Sequence, residues 1–237
     1  MNIAVFAHNF PHKKTQDFLW RLITDGFQPQ IVLACNSVNL DVGSSNNSST
    51  LRVKPRHTSV VHPQQICRKF GISYYVVEHN SQDCVELLHQ HNIDLGIISG
   101  AYLLKQHTIQ AVTKGIINFH PGVIPNIRGL DALEWAVYEG CELGVTSHVI
   151  DKRIDAGRIL KKVIIPEYQD DSLVDLSLRL YETQLDLIHE SIELISNYPI
   201  EQFQLIGKGE GKVFTKMPPE LKGQLPILLA QRLRGFF

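Results

Sequence analysis

Ile3-Ala4-Val5-Phe6-Ala7, an amphipathic run over 15–25 stopped by Gly26, and Ile31-Val32-Leu33-Ala34-Cys35 open the chain. Two continuous apolar runs around a helix-length segment read as a strand–helix–strand unit of a parallel sheet, because strands buried on both faces carry no polar alternation. The pattern continues outward. A helix is expected over 63–70, a strand at Tyr74-Tyr75-Val76-Val77, a helix over 81–91, and strands at Leu95-Gly96-Ile97-Ile98-Ser99 and Ile116-Ile117-Asn118-Phe119-His120, the last cut off by Pro121-Gly122. Residues 130–139 read as a helix with Gly140 as its stop, followed by strands at 145–150 and 159–165. Over 172–196, Leu173, Leu176, Leu180, Leu187, Ile188, Ile192 and Ile195 recur at helical spacing. The fold class that follows is α/β: a Rossmann-like, mostly parallel twisted sheet flanked by helices. Residues 1–198 form one domain, and 199–237, with Gly207-Lys208-Gly209-Glu210-Gly211 and Met217-Pro218-Pro219, a short C-terminal extension that packs on it or on a dimer partner. The polar run at 37–59 reads as a loop, either inert or a lid that orders on ligand binding.

Composition narrows the function classes. With 43% hydrophobic and 20% charged residues the chain can bury one sizeable core. A formal net charge of -1, without a long basic block, argues against nucleic acid as a partner and toward a small-molecule acceptor. No apolar run approaches the roughly 20 residues of a membrane span. The apolar N-terminus stops within one strand length and has no basic leader, and the four cysteines include no C-x-x-C pair, so free thiols in a reducing cytoplasm are expected. Among the eleven histidines none has metal-ligand spacing; His8 and His12 are separated by Pro11, which opposes a helical chelate.

Chemistry concentrates in Gly115-Ile-Ile-Asn118-Phe-His120-Pro121-Gly-Val-Ile-Pro125-Asn-Ile-Arg128-Gly129. Alternation along a strand places Asn118 and His120 on one face, at the C-terminal end where parallel sheets place ligands. The amide can donate to a developing oxyanion, and the imidazole, with a reference pKa of about 6.5, can exchange protons near neutrality. A lone imidazole at such a place is more often a hydrogen-bonded core histidine. Further on stands Gly144-Val-Thr146-Ser-His148-Val-Ile-Asp151-Lys-Arg-Ile-Asp155-Ala156-Gly157. Thr146 and His148 share a strand face, and a carboxylate from the loop brought against His120 would orient the ring and stabilise its protonated form. Taken alone, Asp155 before Gly157 would be a turn residue.

In combination, Asn-x-His-Pro, Pro-x-x-Arg-Gly, Gly-Val-Thr-x-His and Asp-Ala-Gly, in this order, resemble the folate-dependent formyltransferases, a family that includes glycinamide ribonucleotide, methionyl-tRNA and amino-sugar N-formyltransferases. The resemblance is specific over roughly 70–165 and looser elsewhere. It implies that Asn118, His120 and Asp155 are catalytic and that N10-formyltetrahydrofolate is the co-substrate, with no metal. Tyr102, Leu103 and Leu104 would form one wall of the folate site, Leu103 and Leu104 packing on the pterin with their backbone bonded to it. Asp151 and Ile154 would close the other side, and Thr146 and His148 would support the centre.

The acceptor is a separate question. The tRNA-directed members carry a further C-terminal domain, and a short tail follows Ser196 here. The purine-pathway members have a Gly- and Ser-rich phosphate loop after the first strand, where this chain has Ala7-His8-Asn9-Phe10-Pro11-His12-Lys13-Lys14-Thr15. The expected acceptor is therefore the primary amine of a nucleotide-linked amino sugar, met by His8, Asn9, Lys13 and Arg128, in a homodimer of the amino-sugar type. Alternatives are a phosphoribosylglycinamide formyltransferase and a formyltetrahydrofolate hydrolase, the latter usually carrying an extra N-terminal domain.

Overall fold

The computed structural model describes residues 1–36 and 59–235, so the expected loop or lid at 37–59 lies almost wholly outside the described residues, as do Phe236 and Phe237. The described strands are β1 (Ile3–His8), β2 (Ile31–Cys35), β3 (Ser73–Val76), β4 (Leu95–Ile98), β5 (Ile116–His120), β6 (Ile127–Gly129), β7 (Gly144–Ile150), β8 (Gly157–Ile164) and β9 (Lys212–Phe214). Seven of them form one sheet in the order β3-β2-β1-β4-β5-β7-β8, while β6 and β9 make a separate parallel pair. The β1–β2, β1–β4, β2–β3 and β4–β5 pairs are parallel, and β7–β8 is antiparallel. This is the mostly parallel α/β sheet flanked by helices that the alternating pattern predicts. The chain divides into two compact units, Met1–Asn118 and Phe119–Phe237.

In the first unit, Ile3 through Ala7 and all of β2 are buried, as continuous apolar runs require. α1 (Lys13–Thr24) starts two residues earlier than its apolar period suggests, because extended His12 serves as its N-cap. α2 (Pro63–Phe70) is bounded by local chemistry at both ends: Pro63 suits a first helical position, and Gly71 takes φ +67 at the stop. Ser81 caps α3 (Gln82–Gln90), its hydroxyl accepting from Cys84 N. The five-residue α4 (Gln106–Gln110) is too short to show a helical period in the sequence.

In the second unit, α5 (Ala132–Tyr138) starts only after Asp131, whose left-handed backbone (φ 50) keeps Leu130 and Asp131 out of the helix. α6 (Leu173–Asn197) opens on a reciprocal capping box between Ser172 and Asp175, and buries Leu176, Leu180, Leu187, Ile188, Ile192 and Ile195 along one stripe. The extension is more ordered than its loop-like composition suggests. Besides β9 it contains α7 (Pro219–Lys222) and α8 (Leu225–Leu233), with Leu225 and Leu229 buried and α8 against α5. The Arg232 guanidinium binds the Glu167 carboxylate and donates to Cys141 O at 2.7 Å. No described helix is long and apolar enough to cross a membrane.

Candidate active site

The most informative geometry lies within the second unit, where β5 ends on His120. The ring is 4% exposed, and its Nε2 lies 3.1 Å from the Ile127 carbonyl. A carbonyl only accepts, so this nitrogen carries a proton. Nδ1 stands 3.5 Å from Asp155 Oδ2, a charge contact longer than a good hydrogen bond. With a carbonyl on one side and a carboxylate on the other, the ring satisfies both neighbours when both nitrogens are protonated. Gly122 permits the chain leaving β5 to fold over the ring, since a Cβ there would sit 2.7 Å from Nε2.

Asp155 is held from three directions. Its backbone is left-handed (φ 39), an uncommon state for a non-glycine residue that the surroundings must enforce. Its Oδ2 accepts from Gly129 N at 2.8 Å, and its carbonyl accepts from Arg128 Nε at 3.0 Å. The turn continues through Gly157 at φ +111, where a Cβ would be 2.1 Å from Val149 O, so glycine is required.

His148, on β7, is fully buried, and Nδ1 donates to Ala156 O at 3.0 Å. Burial pushes its pKa down to about 4, against the opposing pull of the Asp155 carboxylate. The buried Thr146 hydroxyl donates to Gly122 O at 2.8 Å and accepts from Ile124 N at 3.1 Å, tying β7 to the segment after His120. Both residues thus touch the framework around His120 and Asp155. Asp151 is engaged by Arg153; burial opposes its ionisation, yet the Arg153 hydrogen bonds and charge hold its carboxyl below the usual range. Ile154 is 45% exposed. Arg128, 6% exposed, directs its guanidinium to the carbonyls of Ile154, Asp155 and Glu210.

The first unit holds the other expected residues. Asn118 is half-buried on β5, two residues before His120. Leu103 is 62% exposed, Leu104 is buried and Tyr102 is half-buried. The sequence offered no signal for the residue that shapes this segment, Asn80, which donates to Leu103 O at 2.9 Å and accepts from Lys105 N at 2.6 Å. After β1, four rings gather: His8 stacks on Phe10 (centroids 5.0 Å, planes 9° apart) and meets His12 and Tyr102 edge-on. Burial, with help from His8 and Lys14, pushes the His12 pKa down to about 4, so this imidazole is uncharged at neutral pH. The Asn9 amide accepts from Tyr74 Oη at 2.7 Å and donates to Asn36 at 2.7 Å. Lys13 pairs with Asp17 one turn along α1. Among the described residues no group of three or more His, Cys, Asp or Glu is placed to hold a metal ion.

A family model described as formyl transferase matches residues 26–192. The chain belongs to the formyl transferase family. Among relatives, the methionyl-tRNA formyltransferase of Thermosynechococcus vestitus is 29% identical over 106 residues, which is 44% of this chain and 32% of that protein. The chain spans less than half the length of the first curated relatives it matches. Among solved structures, phosphoribosylglycinamide formyltransferase from Anaplasma phagocytophilum aligns with a TM-score of 0.65 at 19% identity, covering 92% of this chain and 99% of that one. A sugar N-formyltransferase from Shewanella sp FDAARGOS_354 aligns with a TM-score of 0.62 at 16% identity, covering 97% and 87%. At these identities the structural likeness establishes the family fold.

Proposed function

We propose that this chain transfers the formyl group of N10-formyltetrahydrofolate to the primary amine of a small molecule, with a nucleotide-linked amino sugar as the acceptor. The observation that carries the reading is the buried His120 ring set between the Ile127 carbonyl and the Asp155 carboxylate, at the strand end the family motif marks. On this reading residues 1–198 are the catalytic domain and 199–237 an extension.

The acceptor nitrogen attacks the formyl carbon and negative charge grows on the formyl oxygen. Asn118 and His120 donate to that oxygen; the Nε2–H now on Ile127 O is the proton for which the oxyanion competes. Asp155 holds the imidazolium and relays a proton from the attacking nitrogen toward N10 of the folate. The carbon–N10 bond then breaks, leaving tetrahydrofolate and a formamide. No bond to the protein forms. Leu103, exposed beside buried Leu104, supplies an apolar face for the pterin.

The segment after β1 bears on the acceptor. Its ring cluster includes a neutral His12, and Lys13 is already paired with Asp17, which suits an uncharged sugar or base face better than a free phosphate. The test is tetrahydrofolate release by purified protein with no acceptor, with glycinamide ribonucleotide, with methionyl-tRNA and with a panel of nucleotide-linked amino sugars. Turnover with an amino sugar alone is expected. Turnover with glycinamide ribonucleotide or tRNA would replace the acceptor, turnover without acceptor would make the chain a hydrolase, and silence in every arm would overturn the reading.

A further inference from the structure

We infer that Arg128 is a positioning residue for the His120–Asp155 pair, and that it makes the C-terminal extension a working part of the site. This rests on the role proposed for that pair. β6 is three residues long, and each of them has a separate task. The Ile127 carbonyl receives His120 Nε2 at 3.1 Å, and Gly129 N donates to Asp155 Oδ2 at 2.8 Å. Between them, Arg128 Nε donates to Ile154 O and Asp155 O at 3.1 and 3.0 Å, and Nη2 to Ile154 O at 2.6 Å. One short strand therefore sets the imidazole, the carboxylate and the backbone that carries the carboxylate.

The extension holds the other side of the same strand. Arg128 Nη1 donates to Glu210 O at 2.8 Å, and β9 pairs with β6 residue for residue from Ile127↔Lys212 to Gly129↔Phe214. The approach is close enough to demand glycine twice: a Cβ on Gly129 would lie 2.0 Å from Phe214 O, and one on Gly211 1.7 Å from Pro125 O. Trp135 stacks on Phe214 at 4.7 Å between centroids and donates to Thr215 O at 2.8 Å. An isolated three-residue strand has little to hold it, so β9 and the guanidinium add to the Ile127 N–Val123 O bond in keeping β6 in place.

The fork geometry matters, because donors leave Arg128 in several fixed directions in one plane. A lysine at this position keeps the charge but cannot reach Glu210 O and the 154–155 carbonyls together. A Michaelis complex tolerates little displacement; about 1 Å at a reacting group costs on the order of 100-fold.

The experiment compares wild type, Arg128→Lys, Asp155→Asn and the double variant, with thermal unfolding of each to confirm the fold. Arg128→Lys is expected to lower kcat by about 10- to 100-fold with the folate KM changed by less than about threefold. In the Asp155→Asn background the same change is expected to lower kcat by clearly less than it does alone, since most of its route runs through Asp155. A readout independent of turnover is amide exchange at Gly129, expected to quicken in Arg128→Lys as its acceptor loosens. If Arg128→Lys does not fold, Trp135→Phe, which removes the bond to Thr215 O and trims the stack on Phe214, tests the hold of the extension on β6 and is expected to quicken the same amide. Near-normal kcat, a full additional loss in the double variant, or unchanged exchange at Gly129 overturns the inference. Wild-type silence in every acceptor arm overturns the proposed function instead, and the exchange result still decides the role of Arg128.

Discussion

The second unit buries two imidazoles in different polar surroundings. His148 in β7 is 0% exposed, donates Nδ1–H to a backbone carbonyl and has its pKa pushed down to about 4 by burial. His120 at the end of β5 is 4% exposed, yet a carboxylate faces one of its nitrogens and a carbonyl the other. Burial alone therefore does not distinguish the two rings. The two rings differ in contact: Asp155 Oδ2 stands 3.5 Å from His120 Nδ1, whereas for His148 the pull of the same carboxylate is outweighed by burial.

Asp155→Asn breaks the comparison most directly, because it removes the carboxylate facing His120 and leaves the Ile127 carbonyl in place. We expect kcat for formyl transfer to fall by about 10³- to 10⁴-fold with the fold intact, checked by steady-state kinetics and circular dichroism. A loss below about tenfold would show that the carboxylate is a turn residue. Asn118→Ala comes next, at about 10²- to 10³-fold in kcat, the cost of one oxyanion donor.

His148→Gln sharpens the contrast from the other side. It should change kcat by less than about tenfold and alter stability against pH instead. The folded-state pKa, about 4, lies below the ordinary 6.5, so the unfolded chain takes up the proton first as pH falls. The contribution is fully present above pH 6.5 and is lost as pH falls toward 4. His12 adds loss of the same sign in the same window. Denaturant titrations at several pH values should show a shallower decline for His148→Gln than for wild type, and an unchanged slope would remove the ring from this account. The smallest effect belongs to Leu103→Ala, whose side chain is largely exposed: a few-fold rise in the folate KM with no change in Tm.

Much of the architecture is legible locally. Continuous apolar runs announce β1, β2 and β4 because strands covered on both faces need them, and Ser81, Ser172, Pro63 and Gly71 mark helix ends because caps act within a few residues. The short elements α4, β6, β9 and α7 are not legible, since three to five residues carry no period and β6 finds β9 only through a distant part of the chain.

The candidate site divides the same way. Strand alternation by itself puts Asn118 and His120 on one face, and Asp155-Ala156-Gly157 announces a turn that does need positive φ at both Asp155 and Gly157. The sequence alone determined a parallel α/β sheet, the strand end that carries the polar pair and the composition of the loop after β7. Only the tertiary structure decided which carbonyls His120 Nε2 and His148 Nδ1 meet, and that Arg128 directs its donors to carbonyls of the 154–155 turn and the extension. The physical reason is reach. Periodicity and capping are settled among neighbours in the chain, whereas every residue offers a carbonyl, and only the folded backbone determines which of them a buried donor meets.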